Sequence, residues 1–205
     1  MGCDCGRDQE QVDATVTQLS GNGERVMGVG LDVRNGEAVQ SFFQLVEKHL
    51  GGLDILVNNA GVGIFGKVSE LTFDGWRATL DTNLSGVFYC CQSSIPMMQK
   101  RGGGSIFNIS SLAGRNAFAG GSAYNASKFG LNGFSEALML DHRYDGIRVT
   151  SVMPGSVDTQ FQAGADSAPW KIAPQDIADV ILSVLRLPER TTISRIEMRP
   201  SLPPK

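Results

Sequence analysis

Two side chains in the stretch SAYNASKFG, residues 122–130, have the types and the spacing to move a proton. Tyr124 and Lys128 are four residues apart, so on a helix they share one face about one turn apart. A free tyrosine titrates near ~10 and is a poor acid or base at neutral pH. An ammonium beside it favours the phenolate and lowers that value. Just upstream, the apolar segment GSIFNISS, residues 104–111, ends in Ser110 and Ser111. A serine hydroxyl delivered there can orient a carbonyl or alcohol oxygen. Together the three groups suit proton transfer at a substrate oxygen while another agent moves a hydride. A Tyr-x-x-x-Lys pair also arises often by chance, so its weight rests on the elements that position it.

Those elements alternate. Residues 25–33, 53–61, 104–111, 147–155 and 191–200 read as short apolar strands, and 36–51, 72–102, 123–146 and 174–188 as helices. In the helix at 36–51, Val39, Phe42, Phe43 and Val46 share a face. The helix at 72–102 is expected to kink at Pro96. The helix at 123–146 ends before Gly146, a C′ residue, and Pro174 stands near the start of the helix at 174–188. Apolar strands alternating with helices predict an α/β fold, a doubly wound parallel sheet covered on both faces. Ligands of such sheets sit at the carboxyl ends of the strands. The polar clusters fall there: Asp32, Asn58 with Asn59, Ser110 with Ser111, and residues 156–159.

Length and composition bound the rest. The 205 residues suit one domain, 1–205, with a proper core. A net charge of −3 provides no basic footprint for nucleic acid. No apolar run approaches the ~18 residues of a membrane span. The start MGCDCGRDQE lacks the apolar stretch of a secretory signal, and Gly6 stands where a myristoylation pattern wants Ser or Thr. Cys3, Cys5, Cys90 and Cys91 lack zinc-like spacing, and no histidine cluster or other metal set accompanies them. Cys90 and Cys91 read as small core residues, and the chain as reduced and cytoplasmic.

Five motifs, in this order, resemble the short-chain dehydrogenase/reductase family: DILVNNAG after residue 53, DTNLSG, ISSLAG, YNASK and MPGSVDT. The Ser111 to Tyr124 spacing matches as well, and the resemblance spans roughly residues 5–200. It implies a Rossmann-like fold and an oxidoreductase that moves hydride between NADP(H), or NAD(H), and a small carbonyl or alcohol. It implies Tyr124 as acid-base, Lys128 lowering its pKa and bonding the nicotinamide ribose, and Ser111 on the substrate oxygen, with Ser110 the alternative hydroxyl. Asn83 would hold a relay water beside Lys128, or else bond only to backbone. Asn59, Ala60 and Gly61 would line the ribose side, and Asp32 and Val33 the adenine. Pro154, Gly155, Val157 and Thr159 would hold the carboxamide. Arg7 would meet a 2′-phosphate, or is a solvated surface arginine. The family's pairing mode implies a homodimer or homotetramer through the helices at 72–102 and 123–146. The stretch between Thr159 and Pro174, usually a substrate lid, is short and implies a modest or open pocket.

One departure matters. The family's glycine-rich T-G-x-x-x-G-x-G turn, which opens its first helix and binds the pyrophosphate, is not in this sequence. GNGERVMGVG, residues 21–30, leads into a strand and opens no helix. The resemblance places CGRDQEQ, residues 5–11, at the end of the family's second strand, so the first strand, its loop and helix and most of the second strand are expected to be lacking. That leaves the strand at 53–61 with an exposed edge. The expected explanations are a truncated product or misassigned start codon, a silent remnant or oligomer partner that does not bind the dinucleotide, or an enzyme with a rebuilt site.

Overall fold

The computed structural model describes residues 2–21, 23, 25–159, 161 and 167–203. Strand β1 (Gly2–Gly6) leads into helix α1 (Gln9–Ser20), whose N-cap Asp8 accepts from the amides of Glu10 and Gln11. Strand β2 (Val26–Gly30) runs parallel to β1, with Cys3 opposite Met27 and Cys5 opposite Val29. The strand expected to survive only as an end therefore forms five paired residues, an ordinary length for a strand. Helix α1 escaped the sequence reading because only Val12 is buried along it, so it carries little periodicity. Glycine sets how closely it packs: a Cβ on Gly28 would stand 2.5 Å from Val12 Cγ1.

Helix α2 (Gly36–Leu50) starts at the Asn35 cap, ends at left-handed Gly51, and buries the expected Val39, Phe42, Phe43 and Val46. Strand β3 (Ile55–Asn58) follows. The long helix expected at 72–102 is divided into α3 (Phe73–Leu80), a π segment (Asp81–Ser85) and α4 (Gly86–Lys100). The interruption lies at Asn83 and not at Pro96, which sits inside the continuous α4. Its cause is tertiary: the Asn83 side chain is bonded to a loop and to the next helix, as described below.

Strand β4 (Gly104–Ile109), helix α5 (Ser122–His142) with a short turn at Arg143–Asp145, strand β5 (Ile147–Pro154), helix α6 (Pro174–Leu185) and strand β6 (Arg195–Met198) complete the order. Gly146 is left-handed, as a helix-terminating residue requires, and Pro174 opens α6. Strands β3-β4-β5-β6 form one parallel sheet, with Val57 opposite Phe107 and Phe107 opposite Thr150. The strands β1 and β2 form a second sheet. The outer edge of β3 pairs with no strand among the described residues, as the sequence led us to expect, and Ile55 and Val57 are 44% and 43% exposed.

Helix α4 ties the two sheets together. Val87, Cys91 and Met98 enter a core with Ile106, Leu131 and Val149, while Cys90 and Met97 enter a second core with Val39, Phe42 and Phe43. Leu53 and Leu56 touch both. The β2 and α2 region thus keeps its place through α4, without a continuous sheet.

Candidate active site

The carboxyl ends of β3, β4 and β5 bring Asn59, Ser111 and Pro154 to one cavity of about 1910 Å³. Ser111 leaves β4 in extended conformation and caps the turn Leu112–Gly114, accepting from the Ala113 amide at 3.1 Å. Its hydroxyl donates to the Pro154 carbonyl at 3.4 Å, which places Oγ between the ends of β4 and β5. Tyr124, in the first turn of α5, lines the same cavity as Ser111. Lys128 lies one turn on, 4% exposed, with Nζ 5.7 Å from the centre of the Tyr124 ring. Its ammonium donates to the Ile109 carbonyl at 2.8 Å. An ammonium has three donors, so that bond leaves two more for a ligand in the cavity that Lys128 lines. Ser110, the alternative hydroxyl, is buried and turned toward the Lys128 carbonyl, whereas Ser111 is the hydroxyl whose influence reaches the Tyr124 phenol.

Burial governs both titrations. It pushes the Lys128 ammonium down from 10.5 to about 8. It also pushes the Tyr124 phenol above its ordinary 10, and the Ser111 hydroxyl only partly opposes that. The expected depression of the phenol by Lys128 does not appear in this geometry, because the ammonium lies over the ring and points to the Ile109 carbonyl.

Asn83 is fully buried and its carboxamide is engaged on both sides. Its Oδ1 accepts from the Val62 amide at 2.8 Å, and its Nδ2 donates to the Val62 carbonyl at 2.9 Å and to Ser127 Oγ at 3.0 Å. Ser127 Oγ in turn donates to the Tyr124 carbonyl at 2.8 Å. Both side-chain N–H groups are spent, so the Asn83 side chain braces residues 59–63 against the first turn of α5 and makes no bond to Lys128. Its bonds are not to backbone alone, since Ser127 is one of them.

The other candidates divide. Arg7, Val33, Asn59, Ala60, Gly61, Gly155, Val157 and Thr159 all line the cavity. Asp32 does not: its carboxylate is gripped by Arg34, with both oxygens 3.0 Å from Nε, and that hydrogen bond holds its pKa low. Arg7 is exposed at the end of β1, and its charge also lowers Asp32. Of the lid stretch, residues 160 and 162–166 lie outside the described residues.

Sequence reasoning missed the groups that hold the loops. Asn125 Nδ2 donates to the Ala113 carbonyl at 2.7 Å, and its Oδ1 accepts from the Phe118 amide at 3.3 Å. Buried Asn58 donates to Asn108, which donates to Ser135, stitching β3 to β4 and α5. The Gly66 amide donates to the Gly120 carbonyl at 2.8 Å and joins the two loops that flank Tyr124. Asn58, the first N of DILVNNAG, was read only as one of the polar residues at the strand ends, and Asn125 stands in YNASK; neither position reports its partner.

The arrangement fits the nicotinamide-ribose end of a dinucleotide: two available N–H groups on Lys128, the Tyr124 hydroxyl, and the backbone after β5. Among the described residues no glycine-rich turn opens a helix at the cavity, and the start of α1 is closed by the Asp8 carboxylate. The phosphate half of such a ligand has no matching cradle there. Among the described residues no cluster of His, Cys, Asp and Glu could hold a metal ion.

Comparison with known proteins agrees with this geometry. Residues 2–170 match the family model described as short chain dehydrogenase. An uncharacterized oxidoreductase of Staphylococcus aureus strain USA300 is 32% identical over 196 residues, 95% of this chain and 84% of that protein. A metagenomic short-chain oxidoreductase solved in complex with NADP is 33% identical with a TM-score of 0.86, covering 98% of this chain and 86% of that one. Serine dehydrogenase from Escherichia coli is 30% identical with a TM-score of 0.84, covering 96% and 84%. An alcohol dehydrogenase of Thermococcus sibiricus, at 23% identity and a TM-score of 0.91 over all of this chain and 87% of that one, shares the fold.

Proposed function

This chain belongs to the short-chain dehydrogenase family, and from that we propose that it transfers hydride between NADP(H) and a small carbonyl or alcohol, with Tyr124 as acid-base. The observation that carries the reading is the convergence of Ser111, Tyr124 and the buried Lys128 on one cavity, with Lys128 Nζ over the Tyr124 ring. When bound, the reduced dinucleotide supplies the hydride. Ser111 donates a hydrogen bond to the carbonyl oxygen. Tyr124 gives its phenolic proton to that oxygen as the carbonyl carbon is reduced, so the product is the alcohol. The Lys128 ammonium offsets the charge left on the phenolate.

Lys128 and Tyr124 would bond the nicotinamide ribose, Asn59, Ala60 and Gly61 would line it, and Pro154, Gly155, Val157 and Thr159 would hold the carboxamide. Val33 would flank the adenine, with the Asp32 backbone beside it. Exposed Arg7 suits a 2′-phosphate, and NADP is present in the structure of the metagenomic relative. Both support NADP over NAD. Four free cysteines are in keeping with a cytoplasmic setting, and among the described residues no helix is long and apolar enough to cross a membrane.

The test is NADPH titration with NADH as control, followed by oxidation of NADPH with simple ketones. We expect micromolar binding, and a Tyr124→Phe variant that keeps binding but loses about 10²- to 10⁴-fold in kcat. A variant retaining most of its activity would overturn the role of Tyr124. A second reading, a catalytically silent oligomer partner, is favoured by one observation: among the described residues no glycine-rich turn opens a helix at the cavity. Folded protein that binds neither dinucleotide would select that reading.

A further inference from the structure

Three phenylalanines surround the tyrosine. The Phe65 ring lies edge-on to Tyr124 with centroids 5.5 Å apart, Phe161 tilts against it at 5.7 Å, and Phe118 packs on Phe65 at 5.9 Å. All three rings are exposed and all line the cavity that holds Ser111 and Lys128. Exposed aromatic side chains grouped around a polar pair are unusual on a soluble surface and mark a binding site.

The grouping is built by glycine. A Cβ on Gly63 would stand 2.6 Å from Phe65 Cζ and 2.7 Å from Phe161 Cε1, so any other residue there would push both rings away. A Cβ on Gly121 would stand 2.6 Å from Phe118 Cε2. The loops that carry Phe65 and Phe118 are joined by the Gly66–Gly120 bond. Apart from Lys128, whose free N–H groups the reading above assigns to the ribose, the cations of the described residues near this end of the cavity are already paired. Lys171 lies 3.9 Å from Asp158, and Arg199 lies 3.1 Å from Glu197. A carboxylate on a substrate would meet cations that already have carboxylate partners.

We propose that Phe65, Phe118 and Phe161 form an aromatic collar that selects a neutral carbonyl substrate bearing an aryl group, its oxygen directed at Tyr124 and Ser111. This rests on the oxidoreductase reading and narrows its substrate class. Aromatic rings prefer offset and edge-on neighbours, and one such pair is worth roughly a tenfold change in affinity. Small aliphatic ketones reach the same polar pair but leave the collar without a partner.

The experiment measures binding and turnover separately, with acetophenone, butanone and pyruvate as probes. Binding is read by calorimetry or saturation-transfer NMR on the Tyr124→Phe protein, where turnover is suppressed. Acetophenone is expected to bind at least tenfold more tightly than butanone or pyruvate. Phe118→Ala, a change at an exposed side chain, is expected to weaken acetophenone about tenfold and leave butanone unchanged. Gly63→Ala is expected to do the same by displacing two rings at once. Equal affinities, tighter pyruvate, or equal effects of Phe118→Ala on both ketones would overturn the collar. In steady state the kcat/KM ratio of acetophenone to butanone is expected to fall in Phe118→Ala. Reduction of both ketones with no Phe118 dependence sinks the collar and leaves the oxidoreductase reading standing. Phe118-dependent acetophenone binding without any NADPH oxidation supports the collar and sinks that reading.

Discussion

Lys128 and Tyr124 are driven toward their neutral forms by the same burial, and the two effects have opposite signs for stability. The folded Lys128 loses its proton near pH 8, while the unfolded lysine keeps it until about 10.5. Between those values the unfolded chain binds more protons, so stability rises with pH. Tyr124 is raised above 10, so above that value the folded chain holds a proton that the unfolded chain has lost, and stability falls. The useful window therefore lies between pH 8 and 10. From pH 7.5 to 9.5 the lysine contributes a rise of about 2 kcal/mol. Denaturant unfolding is expected to show that rise in the wild type and to lack it in Lys128→Met, which replaces the ammonium with an apolar side chain of similar length. A variant with the same pH dependence as wild type would assign the titration elsewhere.

The π segment shows how an element is shaped by what it must reach. Nothing in DTNLSG distinguishes a five-residue π turn from an ordinary helix, because the choice is made by Val62 and Ser127, which lie far away in the chain. Asn83→Ala is expected to leave the half-buried Val62 amide and carbonyl without their side-chain partner and to destabilise the fold by about 1–2 kcal/mol. It is also expected to raise hydrogen exchange at residues 61–63 more than in α2, which shares none of these bonds. Uniform protection across both would show that Asn83 braces nothing in particular. The same logic separates what was legible in the sequence from what was not. The helix at 36–50, the strands at 55–58, 104–109 and 147–154, and the left-handed Gly146 follow from local periodicity and glycine geometry. Tyr124, Lys128 and Ser111 were legible because helix spacing and the end of a strand fix them. The Asn125 brace, the Asp32–Arg34 pair and the aromatic collar were not, because each depends on which loops meet. Helix α1 was hidden for a different reason, since with one buried side chain its residues follow no strong pattern.

At the scale of the whole molecule, two kinds of exposed apolar surface compete to determine its association. On the helices, Phe88 of α4 packs edge-on to Phe134 of α5 at 6.3 Å, and Phe88 and Phe129 are exposed. We propose that this face pairs about a two-fold axis, which closes after two copies. Phe129→Glu is expected to convert the dimer to monomer in sedimentation velocity. The second surface is the outer edge of β3, where Ile55 and Val57 are half exposed. Helix α6 buries none of its residues, and its Ile177 and Ile181 line the same cavity. Completing the burial of Ile55 and Val57 is worth about 1 kcal/mol each, and the strand edge adds main-chain donors and acceptors. Pairing through such an edge need not close, so it yields species that grow with concentration. The 205-residue chain is therefore expected to show concentration-dependent species beyond the dimer. Val57→Lys puts a charge on that edge without touching α4 or α5, and it is expected to abolish the larger species while keeping the dimer. Growth that survives Val57→Lys but disappears in Phe129→Glu would place all association on the helices and leave the β3 edge inert.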